Sequence, residues 1–104
     1  KYPRKGQHPE QMFSFCKDIA FAEELHVLGF KQTAFLVIVD DPLFYRGNAD
    51  EIYAYFRDQK PLNGRIQKPT GAKDDYVNLK GNYTVDWLPI IGPMKYAVIS
   101  IGAN

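Results

Sequence analysis

The sequence predicts an α/β or α+β fold in which one long helix packs on a mixed β-sheet. Two observations carry this prediction: apolar residues recur at helical spacing over 9–28, and two short β-branched runs occupy 33–39 and 95–101. Hydrophobic residues make up 45% of the 104-residue chain, which is too apolar for a disordered segment. A chain of this length fits one domain, so residues 1–104 are predicted to fold as a single unit.

The helix is predicted to begin at Pro9, because proline suits a first helical turn, where its missing amide has no partner to lose. Glu10 then places an acid near the positive end of the helix dipole, and Gly29 ends the helix. A broad apolar face predicts packing on a sheet. Its members are Met12, Phe13, Phe15, Cys16, Ile19, Ala20, Ala22 and Val27.

The strand at 33–39 is almost unbroken in its apolar character, which predicts a central strand buried on both faces. Pro42 ends it, and the run at 95–101 is expected beside it. Between these strands we predict a short helix over 49–57 and then an exposed, irregular and basic stretch that can contain a short strand over 65–67. Alternating residues over 76–87 predict two strands, or one strand with a glycine bulge.

Charge and cysteine content exclude several classes of protein. The net charge is only +1, so the whole chain gives no electrostatic case for nucleic acid. One cysteine cannot form an internal disulfide, and the two histidines lack zinc-site spacing, so no zinc site is predicted within this chain. No apolar stretch is long enough to span a membrane, and a reducing, cytoplasmic setting is predicted.

Any contact with DNA must therefore come from local clusters of basic residues. One cluster contains Lys1, Arg4 and Lys5 with His8. A second cluster, over a turn-rich stretch, contains Arg57, Lys60, Arg65, Lys68 and Lys73. The candidate DNA-binding residues are Arg4, Lys5, Arg57, Lys60, Arg65 and Lys68. The alternative interpretation is that these residues belong to ordinary solvated loops.

Three further groups of residues have both a structural and a functional interpretation. Glu23 and His26, three apart on the helix, either pair with each other or project into a site. Asp40-Asp41 either forms a turn before proline or holds a divalent ion at a strand end. An aromatic set either stacks on bases or packs in the core, and its members are Tyr76, Tyr83, Trp87 and Tyr96.

Several motifs, taken in order, resemble a family of uncharacterised bacterial proteins similar to PD-(D/E)XK nucleases of the restriction-endonuclease type. The motifs are Lys17-Asp18-Ile19 with Glu23 and Leu25, the run 35–42 with Phe44-Tyr45, Phe56-Arg57, Leu62 and Gly64, and finally Leu79, Gly81, Tyr83 and Trp87. The sequence departs from the family pattern at Asp40 and Tyr45, where asparagine and tryptophan are expected.

The resemblance implies the C-terminal portion of a restriction-endonuclease-like fold that begins upstream of Lys1. In that interpretation Lys1 is the lysine of an acid-x-Lys element, and Glu23 is a second candidate catalytic residue on the following helix. Two upstream carboxylates would hold Mg²⁺ in the intact parent protein, and this chain alone would hold none.

The leading functional hypothesis is therefore the C-terminal part of a metal-dependent DNA nuclease that is not catalytically complete alone. The alternative is a non-catalytic DNA-binding or protein-interaction module. A third interpretation is a domain that only completes the fold of a missing N-terminal half. The expected partners are DNA and that N-terminal half, with no membrane partner, and homo-oligomer formation is left open.

Overall fold

The computed structural model describes residues 8–30, 33–69 and 75–101 and has an α+β fold, as predicted. Its helices and strands are α1 (His8–Val27), β1 (Thr33–Val39), α2 (Tyr53–Arg57), β2 (Leu62–Gln67), β3 (Tyr76–Tyr83), β4 (Leu88–Ile91) and β5 (Met94–Ile101). A 3-10 turn, Pro42–Phe44, follows β1. No helix in these ranges has both the length and the apolar character needed to cross a membrane.

The strands form two sheets rather than the one mixed sheet that was predicted. Sheet A has the order β1-β5-β4, and sheet B is a two-stranded ribbon of β2 and β3. Every strand pair within the described ranges is antiparallel. The predicted pairing of 33–39 with 95–101 is confirmed, with Thr33 opposite Ile101 and Val39 opposite Lys95.

Helix α1 packs against both sheets, which explains why its apolar face is so broad. Its buried side chains belong to one core with residues from both sheets. The fully buried members include Met12, Phe15, Ile19, Val39, Leu62, Leu79 and Ala97. The core therefore fixes the position of the β2–β3 ribbon relative to sheet A.

The end of α1 follows the predicted glycine stop. Gly29 has φ +112°, the amide of Gly29 donates to the carbonyl of His26, and the amide of Phe30 donates to the carbonyl of Leu25. This is the Schellman arrangement, in which a left-handed residue satisfies the last helix carbonyls. The helix begins at His8, one residue before the predicted start.

Strand β1 is not buried on both faces by the described residues, contrary to the prediction. Val37 and Val39 are buried towards α1, whereas Leu36 on the opposite face is 46% exposed. Val98, which pairs with Leu36, is 50% exposed. The physical reason is that α1 covers only one face of sheet A.

Two predictions for the middle of the chain also need correction. The predicted helix over 49–57 starts only at Tyr53, because Glu51 has φ +53°, which is incompatible with a right-handed helix. The side-chain oxygen of Asn48 accepts from the amide of Asp50, as a capping residue would, but it does so in the turn that precedes α2. The short strand predicted over 65–67 is present, but it begins earlier than predicted, since β2 starts at Leu62 and pairs with β3 along most of its length.

Candidate functional site

Glu23 joins α1 to the β2–β3 ribbon. Its side chain is only 8% exposed, and its carboxylate accepts three kinds of hydrogen bond. The amide of Lys80 donates to both oxygens at 3.0 and 3.1 Å, and the amide of Gly81 donates at 2.7 Å. The Tyr83 hydroxyl donates at 2.5 Å. These contacts satisfy a buried charge that would otherwise be costly.

The contacts of Glu23 also shift the pKa of Glu23 itself and the pKa of Tyr83. Burial acts to raise the pKa of Glu23, but the hydrogen bonds from Tyr83, Lys80 and Gly81 together with the Lys80 charge outweigh it and lower that pKa. Burial and the neighbouring carboxylate raise the pKa of Tyr83. The carboxylate is therefore ionised and the phenol neutral at pH 7.

Gly81 is required for this close approach. A Cβ built at Gly81 would overlap the hydroxyl and the ring of Tyr83. The glycine thus lets β3 bring one amide and one hydroxyl to the same carboxylate oxygen.

The predicted pairing of Glu23 with His26 does not occur. His26 is exposed, and its Nδ1 donates to the carbonyl of Phe30 at 2.9 Å. A cavity of about 270 Å³ borders Glu23, so the carboxylate lies beside open space while its oxygens are engaged by β3. The contacts favour a structural role for Glu23, and its catalytic role stays a prediction.

Three of the predicted DNA-binding residues lie around one cleft of about 340 Å³ between α2 and β2. We call this the basic cleft, defined by Lys60, Arg65 and Lys68. Glu51 is the one acid among its lining residues, so three cations face one carboxylate. The cleft therefore has a local positive charge that the net charge of the chain does not indicate.

Aromatic rings orient two of these cations. The Lys60 ammonium lies 5.0 Å from the centre of the Tyr55 ring, and the Arg65 guanidinium lies 4.2 Å from the centre of the Tyr76 ring. Cation–π contacts of this kind hold a side chain in place while leaving its N–H groups available for other partners.

Arg57 lies close in sequence but has a different role. Its guanidinium donates twice to the carbonyl of Leu43, at 2.6 and 2.9 Å, and once to the carbonyl of Asn48, at 2.9 Å. It also stacks on Tyr53 at 4.0 Å. Gly47 permits this arrangement, because a Cβ there would meet the guanidinium. Arg57 thus holds the 43–48 loop on α2, and its predicted DNA contact stays untested.

Other candidates have structural partners. Asp41 accepts from the amide of Leu43 at 3.1 Å and contacts His8 at 2.6 Å, which favours the turn-forming interpretation. The indole of Trp87 donates to the carbonyl of Phe56, which favours the core interpretation. Residues 8–30, 33–69 and 75–101 contain no group of three or more His, Cys, Asp or Glu side chains placed to hold a metal ion.

Several predicted residues fall outside the described ranges. They are Lys1, Arg4, Lys5 and Lys73. Asn78 was not among the candidate residues predicted from the sequence, although it lies directly opposite Arg65 on the ribbon. The alternation over 76–82 was the signal that could have found it, because it places Tyr76, Asn78 and Lys80 on one face.

Comparison with protein-family models, with curated proteins and with solved structures finds no match for this chain. The likeness to nucleases thus depends on the motifs within the sequence alone.

We expect Glu23→Gln to lower the free energy of unfolding by about 3 kcal/mol, because the amide nitrogen of glutamine cannot accept the hydrogen bonds that β3 donates. Urea denaturation at pH 7 measures the change. The matched control is Glu24→Gln, since Glu24 is exposed on the same helix and its replacement should cost about 0.5 kcal/mol or less. Equal effects of the two substitutions would contradict the structural role of Glu23.

Stability should also depend on pH through Glu23. Because its pKa in the folded chain lies below the ordinary value of 4.5, its contribution is fully present above that pH. The contribution is lost as the pH falls through the lowered pKa. Urea denaturation from pH 7 downwards should show a steeper loss of stability in the parent chain than in Glu23→Gln, and parallel curves would refute this.

Arg57→Ala should lower the free energy of unfolding by about 2 kcal/mol, because two backbone carbonyls lose their donors. Arg46→Ala is the matched control, since Arg46 is exposed and, among the described residues, its side chain has one long contact of 5.9 Å with the Tyr45 ring. Thermal or urea unfolding followed by circular dichroism measures both. An unchanged stability in Arg57→Ala would show that the guanidinium does not hold the loop.

Proposed function

We propose that this chain binds nucleic acid through the basic cleft, with Lys60, Arg65 and Lys68 contacting phosphate groups. The observation that carries the proposal is the convergence of these three cations around one concavity. Lys60 lies in the connection between α2 and β2, Arg65 lies in β2, and Lys68 directly follows β2. Positive side chains around a cleft raise the local concentration of a polyanion.

The charge distribution supports a weak, salt-dependent interaction. The whole chain has a net charge of +1, so attraction must come from the cleft rather than from the surface as a whole. Three phosphate contacts would give a slope of log K against log salt of about −3 on duplex DNA. This value is small enough that single substitutions change it measurably.

The nuclease activity implied by the motif resemblance remains a prediction about a longer protein. It depends on Lys1, which lies outside the described ranges, and on upstream carboxylates that would hold Mg²⁺. The engaged oxygens of Glu23 favour the binding module as the function of the described part. A cytoplasmic location also remains a proposal, supported by the single buried Cys16, whose pKa burial raises to about 12.

The test is fluorescence anisotropy with a labelled mixed-sequence DNA duplex between about 50 and 200 mM salt. We expect Lys60→Gln and Lys68→Gln each to weaken binding and to reduce the magnitude of the salt slope by about 1. Their effects should add, because each side chain would neutralise a separate phosphate.

Lys95→Gln is the matched control, because it removes the same charge from sheet A at a position that does not line the cleft. Its slope should equal that of the parent chain. Absence of salt-dependent binding by the parent chain, or equal slopes for all variants, would overturn the proposal.

A further inference from the structure

The outer face of the β2–β3 ribbon is unusual in its composition. Alternate residues of both strands point away from the core and are exposed. We call these residues the ribbon face: Asn63, Arg65, Gln67, Tyr76, Asn78, Lys80 and Asn82. The face contains no acid, although the chain has 12 Asp and Glu residues, and it has a charge of +2 from Arg65 and Lys80. Such a surface is complementary to a polyanion.

The register of β2 and β3 brings together two side chains of types that can contact base edges. Arg65 lies directly opposite Asn78, and the Arg65 guanidinium is stacked on Tyr76. Arginine can bind guanine and asparagine can bind adenine with paired hydrogen bonds at the base edge. Asn63 is already engaged, because its amide donates to the carbonyl of Gly81 at 2.6 Å. Arg65 and Asn78 are therefore the central pair of the face.

The inner face of the ribbon packs in the core. Ile66 and Leu79 on its inner face are buried in the core, and Glu23 binds the amides of Lys80 and Gly81. A surface that contacts bases needs this rigidity, because side chains on a fixed backbone lose less freedom on binding.

The dimensions of the ribbon match one groove of DNA. Two paired strands lie about 5 Å apart, and strands of six to eight residues extend over about 20 to 27 Å. The major groove of B-form DNA is about 12 Å wide and admits a two-stranded ribbon. Double-stranded RNA has a deep and narrow major groove that excludes such an element.

We infer that the ribbon face enters the major groove of B-form DNA, with Arg65 and Asn78 contacting base edges while Lys60 and Lys68 of the basic cleft contact the phosphates at the groove edge. Arg65 then binds a base instead of a phosphate, so the two remaining phosphate contacts give a salt slope of about −2. Arg65 lines the cleft as well as the ribbon face, so the two surfaces are continuous. The inference rests on the proposed function, since it specifies which nucleic acid the same site binds and through which face.

The experiment compares three probes of one mixed sequence: a DNA duplex, an RNA duplex and the single DNA strand. Anisotropy at fixed salt should show the DNA duplex bound about tenfold more tightly than the RNA duplex. The test variant is Arg65→Lys with Asn78→Ala, which preserves charge but removes the planar fork and the amide. We expect it to abolish the preference for DNA at fixed salt. A separate salt titration on the DNA duplex should give the same slope as the parent chain.

The control variant is Lys95→Arg with Ser100→Ala, which makes similarly conservative changes on sheet A and should keep the preference. Circular dichroism verifies that both variants fold. As a second readout, methylation of guanine N7, which projects into the major groove, should weaken binding of the parent chain and not of the test variant.

The outcomes separate the inference from the proposed function. Equal affinity for the DNA and RNA duplexes, tighter binding of the single strand, or an unaltered preference in the test variant would overturn the inference. The proposed function would still stand if Lys60→Gln reduced the salt slope. Absence of salt-dependent binding to every probe would overturn both.

Discussion

The arrangement of this domain depends on one buried carboxylate. Glu23 lies on the helix face that is otherwise apolar, and its charge is stabilised only because β3 directs two amides and a hydroxyl at it. A buried charge with unsatisfied oxygens would cost several kcal/mol, so the geometry of β3 at Gly81 is tightly constrained. This contact fixes the ribbon against α1 with a directional interaction that apolar packing alone does not supply.

The position of the candidate site follows from that constraint. Glu23, Ile66 and Leu79 hold the inner face of the ribbon. The outer face and the adjacent cleft therefore have fixed positions relative to each other. The basic side chains near the cleft differ in the groups that they contact. Arg57 binds two backbone carbonyls and stabilises the fold, whereas Lys60 has a Tyr55 ring beside it at the cleft. Chemically similar side chains thus differ in whether the fold uses their donors.

Sequence reasoning predicted the regular elements better than the site. The helix end at Gly29 and the pairing of β1 with β5 follow from local signals, namely glycine at a helix end and β-branched apolar runs. The late start of α2 was missed because the left-handed conformation of Glu51 has no residue signature, unlike that of a glycine. The partners of Glu23 were missed because they lie 57 to 60 residues away along the chain.

The sequence by itself determined that a long helix packs with β-strands, and it determined the broad apolar face of α1 and the basic character of the stretch that contains β2. These properties are local, since they depend on spacing and residue type within short windows. Tertiary structure alone decided that Lys60, Arg65 and Lys68 line one cleft, that Arg57 does not, and that Arg65 faces Asn78. Strand register and long-range packing set these relations, and the pattern within a single strand does not specify its partner.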